Sequence, residues 1–499
     1  MTGLLFKKIP YTFQDPSLLD NRAFVGGKWI NSIERKAFPV YDPEDNQEIC
    51  KVADLSREDV RTAIDAARSA FKSFKKTSHR DRRWMIRRWA DLLRANKEDL
   101  AAICTLELGK PYTESLATVK YGTDFLYWFE GEIERVYGET IPAARENNRI
   151  FTIKEPQGVV AAITPWNSPI AMVTRKVGAA IAAGNTVVCK PAPETPLCAI
   201  AVAKLFERSG GPPGVLNIVP CSAENTAEVG AELCSNKLVR HLSFTGSTAV
   251  GKHLNAECAK SMKKTSMELG GNAPFIVFED ANIKRAVDGL ISSKFRSSGQ
   301  TCVCANRIFI QSSIINTFAS VLETRLAETF TYGSVWDPKV NYGPLYSPKA
   351  FEKLTCQIQD AVSKGGKLLG KDVGEAQAHY GPNFYPPTII TGATTDMLFM
   401  KQETFGPLAF LIPFQTEEEV IALANDTDAG LASYFYTEDI GRLWRVSEAL
   451  EAGMIGVRVG LVSACEQPFG GVKESGIGRE GGSGALDEYL IVKSITVGL

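Results

Sequence analysis

Histidine is scarce in this chain, four in 499 residues. His79, His241, His253 and His379 stand away from every cysteine and from one another at metal-ligand spacing, so no structural zinc site and no other metal is expected. The same scarcity leaves a catalytic cysteine without a nearby histidine base. Cysteines number eleven, but no C-x-x-C occurs, and the thiols are expected to be free in a reducing compartment. Net charge is only −1, so nothing draws the chain to nucleic acid or to an anionic membrane. No stretch approaches the roughly 18 unbroken apolar residues of a membrane span. The opening MTGLLFKKIPYTFQDPSLLD lacks the apolar centre of a signal peptide, and it carries Asp15 and Asp20 but no arginine before Arg22. The expectation is a cytoplasmic chain with an uncleaved start. Internal repeats and low-complexity segments are missing too.

What is present is a soluble globular composition, 44% apolar and 23% charged, long enough for two large units. Ser56-x-x-Asp59 reads as a capping box, with Val60, Ile64, Ala67, Phe71 and Phe74 at helical spacing behind it. Helical pattern continues from Arg80 to Leu108 and stops at Gly109-Lys-Pro111. From Gly158 the pattern changes. Gly158–Ile163, Thr186–Cys189, Gly214–Val219 and His241–Phe244 read as buried strands. Between them Met172–Ala183 and Thr195–Arg208 read as helices. Strand, helix, strand at this spacing predicts a parallel sheet with helices on its faces, and such sheets hold ligands at the carboxyl ends of their strands. Trp166, Asn167, Lys190, Gly246 and Ser247 fall at those ends. A second series follows, with strands at Pro274–Phe278 and Arg307–Gln311 and a helix over Ile283–Phe295. Segments 135–154 and 489–497 read as further strands whose edges need a partner, and a second subunit is the simplest one.

Cys302 and Cys304 lie in the Gly/Ser/Thr-rich stretch Ser297–Arg307. They suit metal binding, a disulfide or nucleophilic attack, and the chain around them must decide. A thiol there can attack a substrate, and backbone N–H groups of such a loop are expected to lower its pKa; a buried inert cysteine is the plain alternative, and it fits most of the others. Glu268, just before Gly270 and Gly271, can draw a proton from water or thiol if its pKa is tuned toward neutral. Asn167 can donate its side-chain amide to a developing oxyanion. Taken singly, a glutamate before glycines is more often a helix-end residue, and Asn167 is as readily a turn residue.

Thr164-Pro-Trp-Asn167, Phe244-Thr-Gly-Ser247, Glu268-Leu-Gly-Gly271, Gly299-Gln-Thr-Cys302, Glu403-Thr-Phe-Gly-Pro407 and Pro468-Phe-Gly-Gly471 occur in that order. Together they resemble the aldehyde dehydrogenase superfamily from about Phe24 to the C-terminus. The resemblance implies an α/β fold with two parallel-sheet, Rossmann-type domains and a β-arm for oligomers. The expected boundaries are 1–130 and 151–267 for the cofactor domain, 268–470 for the catalytic domain, and 131–150 and 483–499 for the arm. It also implies roles. Cys302 attacks the aldehyde to give a thiohemiacetal, Asn167 and the Cys302 N–H hold the oxyanion, hydride passes to nicotinamide, and Glu268 activates water against the thioester. Glu403 and Phe405 are expected at the nicotinamide ribose and ring, Lys190 at the adenosine ribose, and Gly246 and Ser247 at the pyrophosphate. Thr164, Pro165, Trp166, Pro193 and Leu269 join the cofactor-contacting set. Lys176 matches a lysine often found near such sites.

Arg175 and Arg296 stand close to this chemistry in sequence. A guanidinium grips a carboxylate in a two-pronged fork, so the pair suits an aldehyde that bears a carboxylate. Within the superfamily, Thr174-Arg-Lys176, Phe295-Arg296 and Gln300–Asn306 are most similar to succinate semialdehyde dehydrogenases, and Ser463 matches a serine that helps bind the substrate carboxylate. Glutarate semialdehyde, one carbon longer, and a broad range of aldehydes remain as alternatives; 4-aminobutyrate breakdown is the implied setting. Relatives that prefer NAD often carry a glutamate three residues after the lysine at 190. Pro193 stands there, with Glu194 one step on, which favours NADP or use of both cofactors. Two rivals are a relative that passes the acyl group to coenzyme A or phosphate, which Glu268 opposes, and an inactive binding protein, which the intact Cys302, Glu268 and Asn167 oppose. Cys304 is either a small packing residue or the partner in a reversible disulfide with Cys302. Two cysteines only two residues apart can bond only across a sharply bent loop. A homodimer or homotetramer is expected.

Overall fold

The computed structural model describes residues 7–499. Its first sheet has the order Lys28–Ile30, Ala23–Val25, Leu216–Ile218, Thr186–Lys190, Val159–Ile163, Val239–Thr245, Lys264–Glu268, Gly476–Ile477. The strands from Leu216–Ile218 to Lys264–Glu268 run parallel, while the outer ones pair antiparallel. Both faces are covered. Val160 and Ala162 enter one apolar core, and Val159, Ala161 and Ile163 enter the other. A strand buried on two faces has no polar side to show, which is why this one reads as an unbroken apolar run.

The second sheet has the order Lys367–Gly370, Thr388–Thr391, Leu408–Phe414, Ala305–Gln311, Ala273–Val277, Ala432–Tyr436, Met454–Val457. It is parallel except at the Lys367–Gly370 edge, and it too is sandwiched between two cores. The expected pair of parallel sheets is therefore present, with antiparallel edges added.

A third sheet pairs Leu490–Gly498 with Asn148–Pro156, and the latter with Thr140–Ile141. The middle strand continues through Pro156, past the residue-150 boundary, because its pairing runs on without a break to Leu490.

Local signals place the helices. The Ser56–Asp59 capping box opens Arg57–Phe74. Gly109 closes Lys97–Leu108 at φ +64, a left-handed conformation open to glycine. Between them the helical pattern is split at Asn96 into His79–Ala95 and Lys97–Leu108. The helix expected at Met172–Ala183 begins earlier, at Pro169, whose fixed φ suits a first turn. It is also not uniform. Thr174–Gly178 is a π-turn between Pro169–Val173 and Ala179–Ala182, and it carries Arg175 and Lys176. Single π-turns inside helices recur at functional sites.

Candidate active site

Four parallel strands of the first sheet end level: Ile163 pairs with Lys190 and Phe244, and Thr245 pairs with Glu268. The chain must turn there, and the turns bring the motif residues together. Pro165, Trp166, Asn167, Gly246, Ser247 and Leu269 meet Cys302, Glu403 and Phe405 around a cavity of about 310 Å³. Thr164, Lys190 and Pro193 do not line it. They sit beside it at the strand ends, with the Thr164 N–H donating to the Lys190 carbonyl at 3.1 Å.

Close backbone packing fixes the Cys302 loop. A Cβ on Gly271 would lie 2.5 Å from the Cys302 carbonyl oxygen, and Gly299, at φ +75, presses on the Gly406 carbonyl. Three motifs thus interlock through backbone that side chains would hold apart. Buried amides complete the joint. Asn306 donates to Asn272 at 2.5 Å and accepts from the Thr404 N–H at 3.0 Å. Asn167 Nδ2 donates to the Gln300 carbonyl at 3.0 Å, and its own carbonyl takes Lys110 Nζ at 2.8 Å. That tether leaves one Nδ2 hydrogen to offer beside the nucleophile.

Loop geometry does not depress the thiol pKa. Burial pushes Cys302 up to about 12, helped by Glu268 and Glu403 and opposed by Arg175. The expected activation by backbone N–H groups is overturned: at neutral pH the thiol needs a base. Glu268 suits that need. Neither carboxyl oxygen has a hydrogen-bond partner among the described residues. Burial and the neighbouring Glu480 hold its pKa well above the usual carboxylate range, against Arg175, Lys176 and Arg479. Room for the carboxyl comes from Gly470, where a Cβ would fall 2.9 Å from Oε1.

The two arginines part company. Arg175 is fully buried and paired with Glu480, its guanidinium 4.3 Å over the Phe469 ring. Burial raises the Tyr121 pKa, and nearby Arg175 and Ser463 oppose that rise. Arg296 is exposed and lines a separate hollow with Glu114, Phe330 and Asn341. Neither guanidinium lines the cavity: Arg296 faces the other hollow, and Arg175 is buried within electrostatic reach of Cys302, so the expected two-arginine clamp is not assembled. The reason is a break in the helix. Ile283–Lys294 ends before Arg296, and Ser297 and Ser298 both take φ +52, which turns the chain.

Cys304 also departs from expectation. Thr301–Cys304 is a turn closed by the Cys304 N–H on the Thr301 carbonyl at 3.1 Å, not extended chain. The chain therefore bends between the two cysteines. Both thiols are free, and Cys304 Sγ lies 2.9 Å from Thr301 Oγ1.

The cavity suits a dinucleotide. Gly246 and Ser247 lead into the helix Thr248–Ala259, whose N-terminus can face a pyrophosphate. The Glu403 carboxyl, pushed to about 7 by burial, stands on the wall and accepts the Gly271 N–H at 3.2 Å. Phe405 is held at φ +53 and meets Trp166 edge-on at 5.7 Å. A bulky residue in that conformation is strained, and the strain aims an aromatic face at the cavity.

Residues 29–495 match the aldehyde dehydrogenase family. The chain belongs to that family. A Schizosaccharomyces pombe succinate-semialdehyde dehydrogenase [NADP(+)] is 48% identical over 98% of each chain. A mitochondrial succinate-semialdehyde dehydrogenase of Mus musculus is 47% identical over 96% of this chain and 91% of its own length. A glutarate-semialdehyde dehydrogenase of Pseudomonas aeruginosa is 45% identical over 97% and 99%. In three dimensions the crystal structure of succinate-semialdehyde dehydrogenase from Burkholderia pseudomallei superposes with a TM-score of 0.95, at 45% identity, over 98% of this chain and 100% of that one.

Several residues of this aldehyde dehydrogenase site escaped sequence reasoning. Glu480 joins Arg175 and Lys176 at the core of the charge cluster, yet it stands twelve residues beyond Pro468 with no periodicity to mark it. Tyr121 comes from the helix Tyr112–Glu132, beyond the Gly109-Lys-Pro111 stop where the helical reading ended. Tyr346 stacks on Trp166 with ring centres 3.7 Å apart. Lys294 Nζ is buried without a hydrogen-bond partner among the described residues, and burial draws its pKa down to about 8. Its place at a helix C-terminus hid it as an ordinary capping lysine.

Proposed function

We propose that the chain oxidises succinate semialdehyde to succinate, with NADP favoured and NAD accepted. The observation that carries this reading is Arg175, a buried charged guanidinium within electrostatic reach of Cys302, with Ser463 near the same Tyr121 hydroxyl that Arg175 influences. An aldehyde whose far end is a carboxylate satisfies both ends of that arrangement. Glutarate semialdehyde remains the second reading, because a relative of that name is 45% identical.

Glu268 takes the thiol proton, and Cys302 Sγ adds to the aldehyde carbon. Asn167 Nδ2 and the Cys302 N–H hold the oxygen as it becomes negative. Gly246, Ser247, Glu403 and Phe405 on the cavity wall would hold a nicotinamide cofactor, with Lys190 and Pro193 toward its adenosine end, and that cofactor would supply the hydride acceptor. What remains on the protein is a thioester. Once Glu268 has passed that first proton to solvent it takes another from water, the hydroxide adds to the thioester carbon, and the C–S bond breaks to release the acid and the Cys302 thiolate. Hydrolysis rather than transfer to coenzyme A follows from having such a base. Pro193 supports NADP, since it presents no carboxylate against a 2′-phosphate.

The exposed third sheet supports a homodimer or homotetramer. Free thiols support a reducing compartment, and we read it as the cytoplasm, although the mouse relative is named as mitochondrial. The bent Thr301–Cys304 turn supports a reversible disulfide in which an oxidant such as peroxide takes two hydrogens from Cys302 and Cys304. Peptide mapping of peroxide-inactivated enzyme should find the 302–304 linkage and recover activity with a thiol; Cys304→Ala inactivated by the same reversible route would remove the proposal.

Steady-state rates with succinate semialdehyde, glutarate semialdehyde and an uncharged aldehyde of similar length, each with NADP and NAD, test the reading. Succinate semialdehyde should lead in kcat/KM by about 100-fold over the uncharged aldehyde, as loss of a buried charge partner implies. Equal rates would leave an aldehyde dehydrogenase without a carboxylate site.

A further inference from the structure

Behind Glu268 lies a buried polar chain that the reaction so far leaves without a task. Lys176 Nζ is shared between Glu480 and Ser243, whose Oγ it reaches at 3.2 Å. The same oxygen accepts from the Tyr489 hydroxyl at 3.3 Å. Ser243 sits in the strand Val239–Thr245, two positions before Thr245, which pairs with Glu268. Tyr489 is itself pinned. Its ring packs on His241 with centres 4.9 Å apart, and its carbonyl accepts from Asn185 Nδ2 at 3.0 Å and from the Gln157 N–H at 3.3 Å. His241 Nδ1 is bonded to Gln157 Oε1 at 3.1 Å. The chain of hydroxyls ends at the phenol, so it is built to orient rather than to conduct.

We infer that Tyr489 and Ser243 are positioning residues for the Glu268 base, acting by fixing the Lys176 ammonium inside the charge cluster around that carboxyl. This rests on the reading of Glu268 as the water-activating base. The groups facing Glu268 are Glu480, Arg175, Lys176, Arg479 and Cys302. Two cations, Arg175 and Arg479, are held by partners of their own: Glu480 for the first, the Gly471 and Gly478 carbonyls for the second. Lys176 shares Glu480, and its remaining restraint is Ser243. A serine oxygen has two lone pairs. With the phenol on one, the other is directed to Lys176. Without the phenol, the hydroxyl can rotate and donate elsewhere, and the ammonium spreads over more positions. An ammonium fixed nearby favours the ionised carboxyl; a loosened one favours it less, and the base then needs a higher pH.

The residue after Tyr489 opens the outer strand of the third sheet, Leu490–Gly498. The setting of that sheet therefore reaches Lys176 through two hydrogen bonds, and the base only through the charge of that ammonium.

The test compares Tyr489→Phe, Ser243→Ala and the double variant, with Glu268→Gln as control, by pH profiles of kcat and by the burst of reduced cofactor in the first turnover. Tyr489→Phe keeps the ring against His241. The acidic limb of kcat should move to higher pH by about half a unit or more in each single variant, with KM for aldehyde and cofactor unchanged and the burst preserved. Because both residues act through Lys176, the double variant should move the limb no further than Ser243→Ala does. An unmoved limb, a limb displaced to lower pH, or additive shifts would overturn the inference while leaving Glu268 as base. A limb that survives in Glu268→Gln would overturn the base reading and this inference with it.

Discussion

A wholly buried guanidinium must have anionic company, and Arg175 has it in Glu480. In the proposed reaction the same guanidinium attracts a substrate carboxylate, so its removal should act twice. Arg175→Ala leaves Glu480 buried with Lys176 alone and should cost about 3–5 kcal/mol of stability, the usual result of stripping one partner from a buried pair. KM for succinate semialdehyde should rise far more than for an uncharged aldehyde in whatever fraction folds. Arg296→Ala, at an exposed position, should change stability by less than about 0.5 kcal/mol. Thermal denaturation beside substrate kinetics checks the contrast, and matching losses from both arginines would restore the two-arginine clamp. His241 carries a different consequence at this scale. Burial lowers its pKa to about 3, so the folded ring stays neutral. The unfolded ring takes a proton near pH 6.5. Stability from this residue is therefore complete above about 6.5 and is lost as pH falls toward 3, by about 2 kcal/mol at pH 5. Denaturant titrations at pH 7 and 5 should show a smaller pH difference for His241→Gln than for the parent chain.

Elements place these side chains by ending in register. The outer strand Gly476–Ile477 pairs antiparallel with Met267 and Glu268, and Ser475 adds its carbonyl to the Leu269 N–H at 2.9 Å. Gly476 has φ +148, and a Cβ there would collide with the Met267 carbonyl. Gly476→Ala should break this pairing, destabilise the fold by roughly 2–4 kcal/mol, and lower kcat through a displaced Glu268 more than it raises KM. A variant with normal kcat and an intact melting temperature would show that the pairing is dispensable. Much of this level was legible in the residues. Apolar runs buried on both faces give strands, Ser56–Asp59 gives a helix start, and the turns after Ile163, Lys190 and Thr245 give the site. What stayed hidden depends on contacts between distant segments. The π-turn at Thr174–Gly178 leaves no mark in an apolar stretch. The thiol pKa is set by depth, which loop composition does not report. Arg296 looked like an active-site residue by its distance from Cys302 along the chain, but the kink at Ser297 and Ser298 turns it away. Glu480 and Tyr489 arrive from the C-terminal segment, where nothing in the local pattern ties them to Cys302.

For the whole molecule the exposed sheet is the open end of the fold. Among the described residues Leu490–Gly498 is paired on one side only, through Asn148–Pro156, and Ile491, Val492 and Val497 are 47%, 66% and 42% exposed. An unpaired strand with apolar side chains on both faces is a template for another chain unless something covers it. A second copy of this chain is the cover we propose, and the outcome is readable without a crystal. Light scattering of the parent chain should give a dimer or a tetramer. Ile491→Lys with Val492→Glu should shift it toward monomer, because charged groups at an exposed edge oppose strand addition. Both side chains already face solvent in a single chain, so melting of the monomer itself should change by no more than about 0.5 kcal/mol. Since Tyr489 immediately precedes this strand, the monomer should also show an acidic limb of kcat at higher pH than the assembled enzyme, in the same direction as Tyr489→Phe. An assembled double variant would clear this strand of any part in assembly. A monomer whose pH profile matches the parent's would separate the arm from the base.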